Sequence, residues 1–107
     1  MQEKEAPRTV VLIAAAPSEG PAKDAIACAE AALACGDATY LYLYDEGVLL
    51  ADCEPVQRLA SRGVPIYACF ESCRRGRVEI RSETVLLSGL VSLAGLIAAC
   101  DRLEAFT

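Results

Sequence analysis

Short apolar runs alternate along the chain with longer runs whose apolar residues recur at helical spacing. Thr9–Ile13 is a continuous run of β-branched and aliphatic residues, which predicts a parallel strand covered on both faces. Pro17–Pro21 interrupts the pattern, and the alanine-rich segment after it predicts a helix that ends before Gly36. The predicted buried face of this helix contains Ala22, Ala25, Ile26, Ala29 and Leu33.

The remaining pattern predicts further strands and helices in alternation. Tyr40, Tyr42 and Tyr44 alternate with other residues in the run 38–44, which predicts a second strand with one aromatic face. The other predicted elements are a loop with a short helical turn over 45–51, a helix from Pro55 through Ala60, a third strand Val64–Phe70, a fourth strand Val85–Leu87, a helix from Leu90 and a last strand Arg102–Phe106.

Seventeen consecutive residues without a charge, Thr84–Cys100, raise the question of a membrane span. Ser88–Gly89 divides this stretch into a strand-like run and a run in which Leu90, Leu93 and Ile97 follow the spacing of a helix face. We therefore predict a buried strand and then a buried helix, with no contact with a membrane. Because the helix is apolar nearly all round, we expect it to be covered on more than one side, as at a subunit interface.

Strands that alternate with helices in 107 residues predict one α/β domain over residues 1–107. We expect a single three-layer α/β/α domain with a mainly parallel sheet of about five strands and right-handed crossovers. In such sheets functional residues gather at the carboxyl ends of the strands, near the point where the strand order reverses. The segments just past Ala16, Tyr44, Phe70 and Leu87 are therefore the places where chemistry is expected.

Composition and charge narrow the classes of function. The net charge of −5 argues against a protein that wraps nucleic acid or lies on an anionic membrane. The chain has no histidine, which excludes Cys/His zinc sites and histidine-assisted catalysis within one chain. Its six cysteines form no CxxC pair, and we expect neither a metal nor an organic cofactor. The N-terminus MQEKEAPR has no signal-peptide core, which predicts reduced thiols and a cytoplasmic location.

Cys69 is the leading candidate for a nucleophile. It stands where a strand ends, and a helix after it would offer unpaired N–H groups and the positive end of a dipole, which favour the thiolate. The thiolate is the form that attacks a persulfide or a disulfide. Cys73 follows four residues later, the spacing of a resolving thiol on the same helix face. In the alternative interpretation a cysteine is only a small buried hydrophobic residue, and we assign it to Cys28, Cys35, Cys53 and Cys100.

Charged residues near Cys69 predict a surface for an anion or an acidic protein face. Arg74, Arg75, Arg77 and Arg81 place four of the ten basic residues within eight positions of an acidic chain, and we expect them to favour the thiolate as well. The pair Asp45–Glu46 allows two interpretations, a general acid/base pair or a solvated loop with a helix-capping carboxylate.

Several motifs, in the same order from end to end, resemble the DsrE/DsrF/DsrH-like family, and in particular its TusD-type sulfurtransferase branch. They are Tyr44-x-Glu46-Gly47-Val48, Gly63-Val64 leading to Cys69, Arg74-Arg75-Gly76, Leu87-Ser88-Gly89-Leu90 and Cys100-Asp101-Arg102. The first strand and its alanine-rich helix also fit, so the resemblance covers nearly the whole chain. Two features depart from the TusD pattern: the stretch between Cys69 and Arg74 is one residue shorter, and Phe70–Cys73 replaces small apolar residues.

The resemblance implies a small parallel α/β fold, assembly into dimers, trimers or hexamers, and relay of sulfane sulfur between a donor and an acceptor protein. It places the sulfur-accepting cysteine on Cys69 and requires no cofactor. The expected site consists of Cys69 and an assisting Cys73, with anion- or partner-binding residues Arg74, Arg75, Arg77, Glu46 and Ser88. Two alternatives stay open: a non-catalytic oligomeric assembly or small-ligand module, and a redox switch formed by the two cysteines.

Overall fold

Five parallel strands form one sheet in the computed structural model, which describes residues 6–107. The strands are β1 (Arg8–Ile13), β2 (Ala38–Leu43), β3 (Ile66–Cys69), β4 (Val85–Ser88) and β5 (Arg102–Phe106). The helices are α1 (Gly20–Ala34), α2 (Glu54–Ser61), α3 (Phe70–Gly76) and α4 (Leu90–Ala99), and a 3₁₀ helix covers Asp45–Leu50. The sheet order is β4-β3-β2-β1-β5, and every neighbouring pair is parallel.

This arrangement confirms the predicted α/β fold and its five strands. The stretch after the third strand, for which no helix was assigned from the pattern, is helix α3. Most of the charged segment on which the predicted location rests, residues 1–5, lies outside the described residues.

The two ends of α1 follow from the residues found there. Pro21 stands in the first turn, where its missing N–H has no helical partner to lose, and Gly36 follows the last turn with a left-handed backbone, φ 85°. The buried residues of α1 are Ala22, Ala25, Ile26, Ala29 and Ala32. Leu33, which was predicted on this face, is half-buried at its edge. The small side chains let α1 lie close to the sheet.

The two sides of the sheet are covered very differently. Alternate residues of each strand point to opposite sides. On one side, α1, α2, α3 and the 3₁₀ helix share a continuous core with Val11, Ile13, Leu41, Leu43, Ile66 and Ala68. On the other side lies α4, and a cavity of about 290 Å³ separates part of it from Val10, Tyr40 and Tyr67.

Helix α4 is the largest departure from the sequence prediction. We predicted a buried helix, but none of its ten residues is buried in this chain, and Val91 is 88% exposed. Strand β4, also predicted to be buried, buries Val85 but leaves Leu86 and Leu87 exposed. Among residues 6–107, α4 alone lies on that side of the sheet, so no second helix covers it. Within the same residues, no helix is both long and apolar enough to cross a bilayer.

Gly47 of the 3₁₀ helix packs directly against the backbone of β1, and no other glycine of the described residues lies so near another backbone segment. A Cβ atom added at Gly47 would lie 2.0 Å from the carbonyl oxygen of Ile13 at the end of β1. The Tyr44 N–H donates to the same oxygen at 2.9 Å. Glycine therefore lets the 3₁₀ helix close against β1.

Gly47→Ala should destabilise the protein by at least about 2 kcal/mol, because backbone atoms and not a flexible side chain must move. Gly95→Ala in α4 is the matched control. Nothing lies within 4 Å of an added Cβ at Gly95, and alanine there should leave the stability unchanged or raise it slightly. Denaturant unfolding of both variants measures the two effects. Equal unfolding free energies for Gly47→Ala and the parent would show that the 3₁₀ helix shifts without cost.

Candidate functional site

The candidate site lies at the carboxyl ends of β2, β3 and β4. Cys69, the last residue of β3, pairs in register with Ser88, the last residue of β4. Tyr42 of β2 pairs with Tyr67 of β3, and their rings stack with centroids 6.5 Å apart. By the alternation along each strand, all four side chains belong to the side of the sheet that carries α4.

This position is at the expected edge of the sheet but not where the strand order reverses. The chain runs outward from β1 to β4 and then returns to the other side of β1, so the reversal lies between β1 and β5. There the Ala14 N–H donates to the Phe106 carbonyl at 2.8 Å and closes the strand ends. The predicted nucleophile lies at the end of β3, two strands from β1.

Cys69 ends β3 and caps α3. Its backbone is extended (φ −67°, ψ 118°), and its Sγ accepts a hydrogen bond from the Ser72 N–H at 3.4 Å. Ser72 is itself held, because its Oγ accepts from the Asp45 N–H at 2.9 Å. Only 2% of Cys69 is exposed, and Ser72 is also buried. The sulfur therefore lies out of bulk water, among backbone and hydroxyl groups.

Two opposing effects set the pKa of the Cys69 thiol. Burial raises it, because surroundings of low dielectric constant disfavour the thiolate. Polar groups near the sulfur lower the pKa, namely the hydroxyl and N–H of Ser72, the Glu71 N–H and the Tyr42 hydroxyl, and together they outweigh burial. The pKa therefore lies below its ordinary value and the thiolate is favoured. Hydrogen bonds dominate this shift, and not the arginine charges that we expected to act on the sulfur.

The pKa of the Cys73 thiol is shifted in the opposite direction. Cys73 is buried in the core that α3 shares with the sheet. Burial, and then the negative charge of Cys69, raise the pKa of the Cys73 thiol. A neutral thiol attacks slowly, since the thiolate is the nucleophile. The two cysteines of α3 are thus neighbours with unequal reactivity.

The arginines after Cys69 lie on the exposed surface of α3 and beyond its end. Arg74 forms an ion pair with Glu71, in which Arg74 Nε donates to Glu71 Oε2 at 3.0 Å and a terminal nitrogen donates to the other oxygen. The hydrogen bond from Arg74 lowers the pKa of the Glu71 carboxyl. Arg77 ends α3 in the left-handed conformation (φ 53°). The N–H of Arg81 donates to Asp52 at 2.9 Å.

A charged cavity adjoins Ser72. Its volume is about 260 Å³, and its lining includes Arg75, Glu46, Asp45 and Ser72. Opposite charges therefore face one space beside the serine that hydrogen-bonds Cys69. Of the predicted binding residues, the structure brings Arg75 and Glu46 together here.

Ser88, by contrast, does not line this cavity and lies beside Cys69 on the neighbouring strand β4. Its Oγ is buried and forms no hydrogen bond with any residue of the described part of the chain. Tyr42 is fully buried nearby, and its hydroxyl donates to the Gly89 carbonyl at 3.3 Å. Burial raises the pKa of the Tyr42 phenol, the Ser88 hydroxyl lowers it, and the charge of Cys69 raises it. The three side chains therefore influence one another.

Ser72 and Tyr42 are functional candidates that the sequence reasoning missed. Ser72 stands three residues after Cys69. A residue that caps a helix accepts a hydrogen bond from the N–H two or three residues later, and Cys69 accepts one from Ser72. Tyr42 is one of the three alternating tyrosines in the sequence, but which residues lie beside it in the sheet depends on strand register. The first signal was available in the sequence, and the second required the pairing of β2 with β3.

The remaining cysteines are only partly packing residues. All six thiols are free of disulfide bonds. Cys28, Cys53 and Cys100 are half-buried, and Cys35 is exposed, so its assignment as a buried residue was wrong. Within residues 6–107, no group of three or more His, Cys, Asp or Glu side chains is placed to hold a metal ion.

The fold is similar to that of a solved structure, the crystal structure of the ychN protein from E. coli. The two chains are 18% identical, the match covers 95% of this chain and 100% of that chain, and the TM-score is 0.71. No protein-family model and no curated protein matches the sequence. The similarity shows a shared fold.

Ser72→Ala should slow the reaction of Cys69 with iodoacetamide at neutral pH by about threefold to tenfold. Alanine keeps the N–H that donates to the sulfur but removes the hydroxyl that also lowers the pKa of the thiol. Peptide mapping with tandem mass spectrometry separates Cys69 from Cys73 and follows the rate as a function of pH. Arg74→Gln, on the same helix, should leave the rate nearly unchanged, since Glu71 engages the guanidinium. A larger effect of Arg74→Gln than of Ser72→Ala would show that charge, and not hydrogen bonding, controls the sulfur.

Proposed function

We propose that this protein is a DsrE-like sulfur-relay protein that accepts sulfane sulfur on Cys69 as a persulfide and passes it to an acceptor protein. The observation that carries the proposal is the lowered pKa of Cys69 at the junction of β3 and α3. The motifs that resemble the DsrE/DsrF/DsrH-like family support it, and so does the fold that this chain shares with the ychN protein.

The proposed reaction is a redox-neutral exchange that needs no metal or organic cofactor. The Cys69 thiolate attacks the terminal sulfur of a donor persulfide, a new S–S bond forms, the donor's S–S bond breaks, and the donor leaves as a thiolate. The terminal sulfur keeps its proton or loses it to water. An acceptor thiolate then attacks that sulfur, and Cys69 leaves as the thiolate. The hydrogen bonds that lower the pKa of Cys69 thus favour both its attack and its departure.

The surroundings of Cys69 indicate how a donor protein reaches it. Because Cys69 is 2% exposed, transfer requires a local opening around the sulfur. Phe70 follows Cys69 in the chain, while Leu87 and Leu90 flank the Ser88–Gly89 segment that lies beside it in the sheet, and all three are exposed. We propose that a donor or acceptor packs on these apolar side chains. Arg77 lines one surface recess with Phe70 and Leu87 and supplies a polar contact there. Arg75 and Glu46, on the cavity beside Ser72, supply further polar contacts.

Cys69→Ser should abolish retention of one added sulfur atom after incubation with a cysteine desulfurase and cysteine, or with polysulfide. The reason is that serine offers no thiolate to attack the donor. Intact-mass measurement detects the persulfide, and Cys35→Ser is the matched control, because Cys35 is exposed and far along the chain from α3. Equal sulfur uptake by Cys69→Ser and the parent would exclude Cys69 as the acceptor.

The same experiment separates sulfur relay from a redox switch. A switch would join Cys69 and Cys73 in a disulfide and retain no sulfane sulfur. The raised pKa of the Cys73 thiol favours a persulfide that persists on Cys69 over its release through Cys73. Peptide mapping without reduction, after mild oxidation, detects the disulfide if it forms.

Self-association is the second part of the proposal. Helix α4 carries Leu90, Val91 and Ile97 at the surface and has no charged residue. An apolar patch of this kind on a small protein marks an interaction surface. We propose that α4 packs against another copy of this chain, as the resemblance to oligomeric family members implies.

Val91→Lys should weaken this association and lower the mass measured by sedimentation toward the 11.3 kDa of one chain. A buried, unpaired ammonium group at the interface opposes assembly. Leu49→Lys is the control, because Leu49 is also exposed but lies on the 3₁₀ helix across the sheet. A parent protein that sediments as one chain would contradict the proposed assembly.

A further inference from the structure

Ser88 presents an unusual feature at the edge of the site. Its hydroxyl oxygen is buried and forms no hydrogen bond within the described residues, although it lies on the strand next to Cys69 and in register with it. A buried hydroxyl without a partner destabilises a protein by about 1–3 kcal/mol. An arrangement that leaves one unpaired is therefore informative about a second state of the site.

Tyr42 connects Ser88 to the sulfur. The phenol ring is fully buried and is held by stacking on Tyr67, which fixes where its hydroxyl can point. That hydroxyl has one proton, and it donates to the Gly89 carbonyl at 3.3 Å. Cys69 and Ser88 lie on the next two strands, near the same carboxyl ends and on the same side of the sheet as Tyr42. Both of them also shift the pKa of the Tyr42 phenol. The Tyr42 hydroxyl is thus one donor near two acceptors, the Gly89 carbonyl and the Cys69 sulfur. Of these two, only the sulfur can become charged.

We propose that Tyr42 and Ser88 form a hydrogen-bond relay that responds to negative charge on Cys69. When the sulfur becomes anionic, the Tyr42 hydroxyl turns from the Gly89 carbonyl to the sulfur, and the Ser88 hydroxyl donates to the Tyr42 oxygen. Tyr42 then touches the reacting sulfur, and Ser88 is a positioning residue that acts through Tyr42.

The number of hydrogen bonds explains why the relay favours the anion. With a neutral thiol, Tyr42 donates to Gly89 and the Ser88 hydroxyl has no acceptor. With an anionic sulfur, both hydroxyls donate, and one of the bonds reaches a charged atom, which makes it stronger. The Gly89 carbonyl loses little, because as the cap of α4 it still accepts the first bond of that helix. No backbone movement is needed, and such preorganised donors stabilise charge most effectively.

The proposal depends only on charge at the sulfur. It applies to the Cys69 thiolate and to a persulfide anion on it, and it therefore stands whether or not the protein relays sulfur. The ionisable groups that face this region are Tyr42 and Tyr44 of β2 and the segment after it, Tyr67 of β3, and Cys73 of α3. The Glu71 carboxyl is exposed and paired with Arg74, and only the Glu71 N–H acts on the sulfur. Strand β4 and helix α4 contain no ionisable side chain.

The test is a pH titration of the Cys69 thiolate by its ultraviolet absorbance, taken as the difference between each protein and the same protein with Cys69→Ser. Tyr42→Phe and Ser88→Ala should each move the titration midpoint to higher pH. In Tyr42→Phe, the thiolate fraction at neutral pH should fall by about threefold to tenfold. The double variant should shift no further than Tyr42→Phe, because Ser88 acts through Tyr42. Ser88→Thr keeps the hydroxyl and should restore the parent midpoint.

Tyr67→Phe is the matched control, since it removes a neighbouring phenol oxygen on the same side of the sheet and should leave the midpoint in place. Thermal unfolding supplies a second measurement that does not need Tyr42→Phe to fold. Ser88→Ala should be at least as stable as the parent while the thiol is neutral, and should become the less stable protein as pH rises through the Cys69 titration. An unchanged midpoint in Ser88→Ala, or shifts that add in the double variant, would overturn the relay.

Discussion

A sulfur anion that is withdrawn from water must find polar groups to replace its hydration, and the architecture around Cys69 follows from that requirement. The first turn of α3 supplies N–H groups, and Ser72 supplies a hydroxyl whose position is set by the Asp45 N–H. Asp45 belongs to the 3₁₀ helix, and Gly47 allows that helix to close against β1. A contact at the end of β1 therefore contributes to the reactivity of a thiol at the end of β3.

The two sides of the sheet are covered unequally, and the candidate site lies on the less covered side. The side that carries α1, α2 and α3 is a complete core, while the side that carries α4 leaves apolar side chains at the surface. Cys69, Tyr42 and Ser88 belong to the second side, and β4 passes into α4 directly beside them. The reactive group and the surface that is best suited to a protein partner are thus adjacent. In the proposed sulfur relay, transfer and partner recognition share this region of the molecule.

The pattern of the sequence predicted the strands and most of the helices, because apolar period and turn residues are local signals. The boundaries were less accurate: β3 was predicted over Val64–Phe70 and is Ile66–Cys69. The difference arises because strand pairing with β2 and β4 covers only these residues, and Cys69 then turns into α3 as its cap. The prediction of a buried α4 was wrong for this chain, since hydrophobicity indicates that a helix should be covered but not what covers it.

For the site, Cys69 could be singled out from its place at a strand end before a polar segment, which is information contained in consecutive residues. Tyr42 and Ser88 could not, because they are 27 and 19 positions from it along the chain and come near it only through strand register. Local pattern therefore sufficed for most of the elements and for naming Cys69 as a candidate. The three-dimensional arrangement was needed to show that Ser72, the Glu71 N–H and the Tyr42 hydroxyl lower the pKa of the Cys69 thiol. The nearby arginines do not cause this shift, since they lie on the solvent-exposed surface and Arg74 is paired with Glu71.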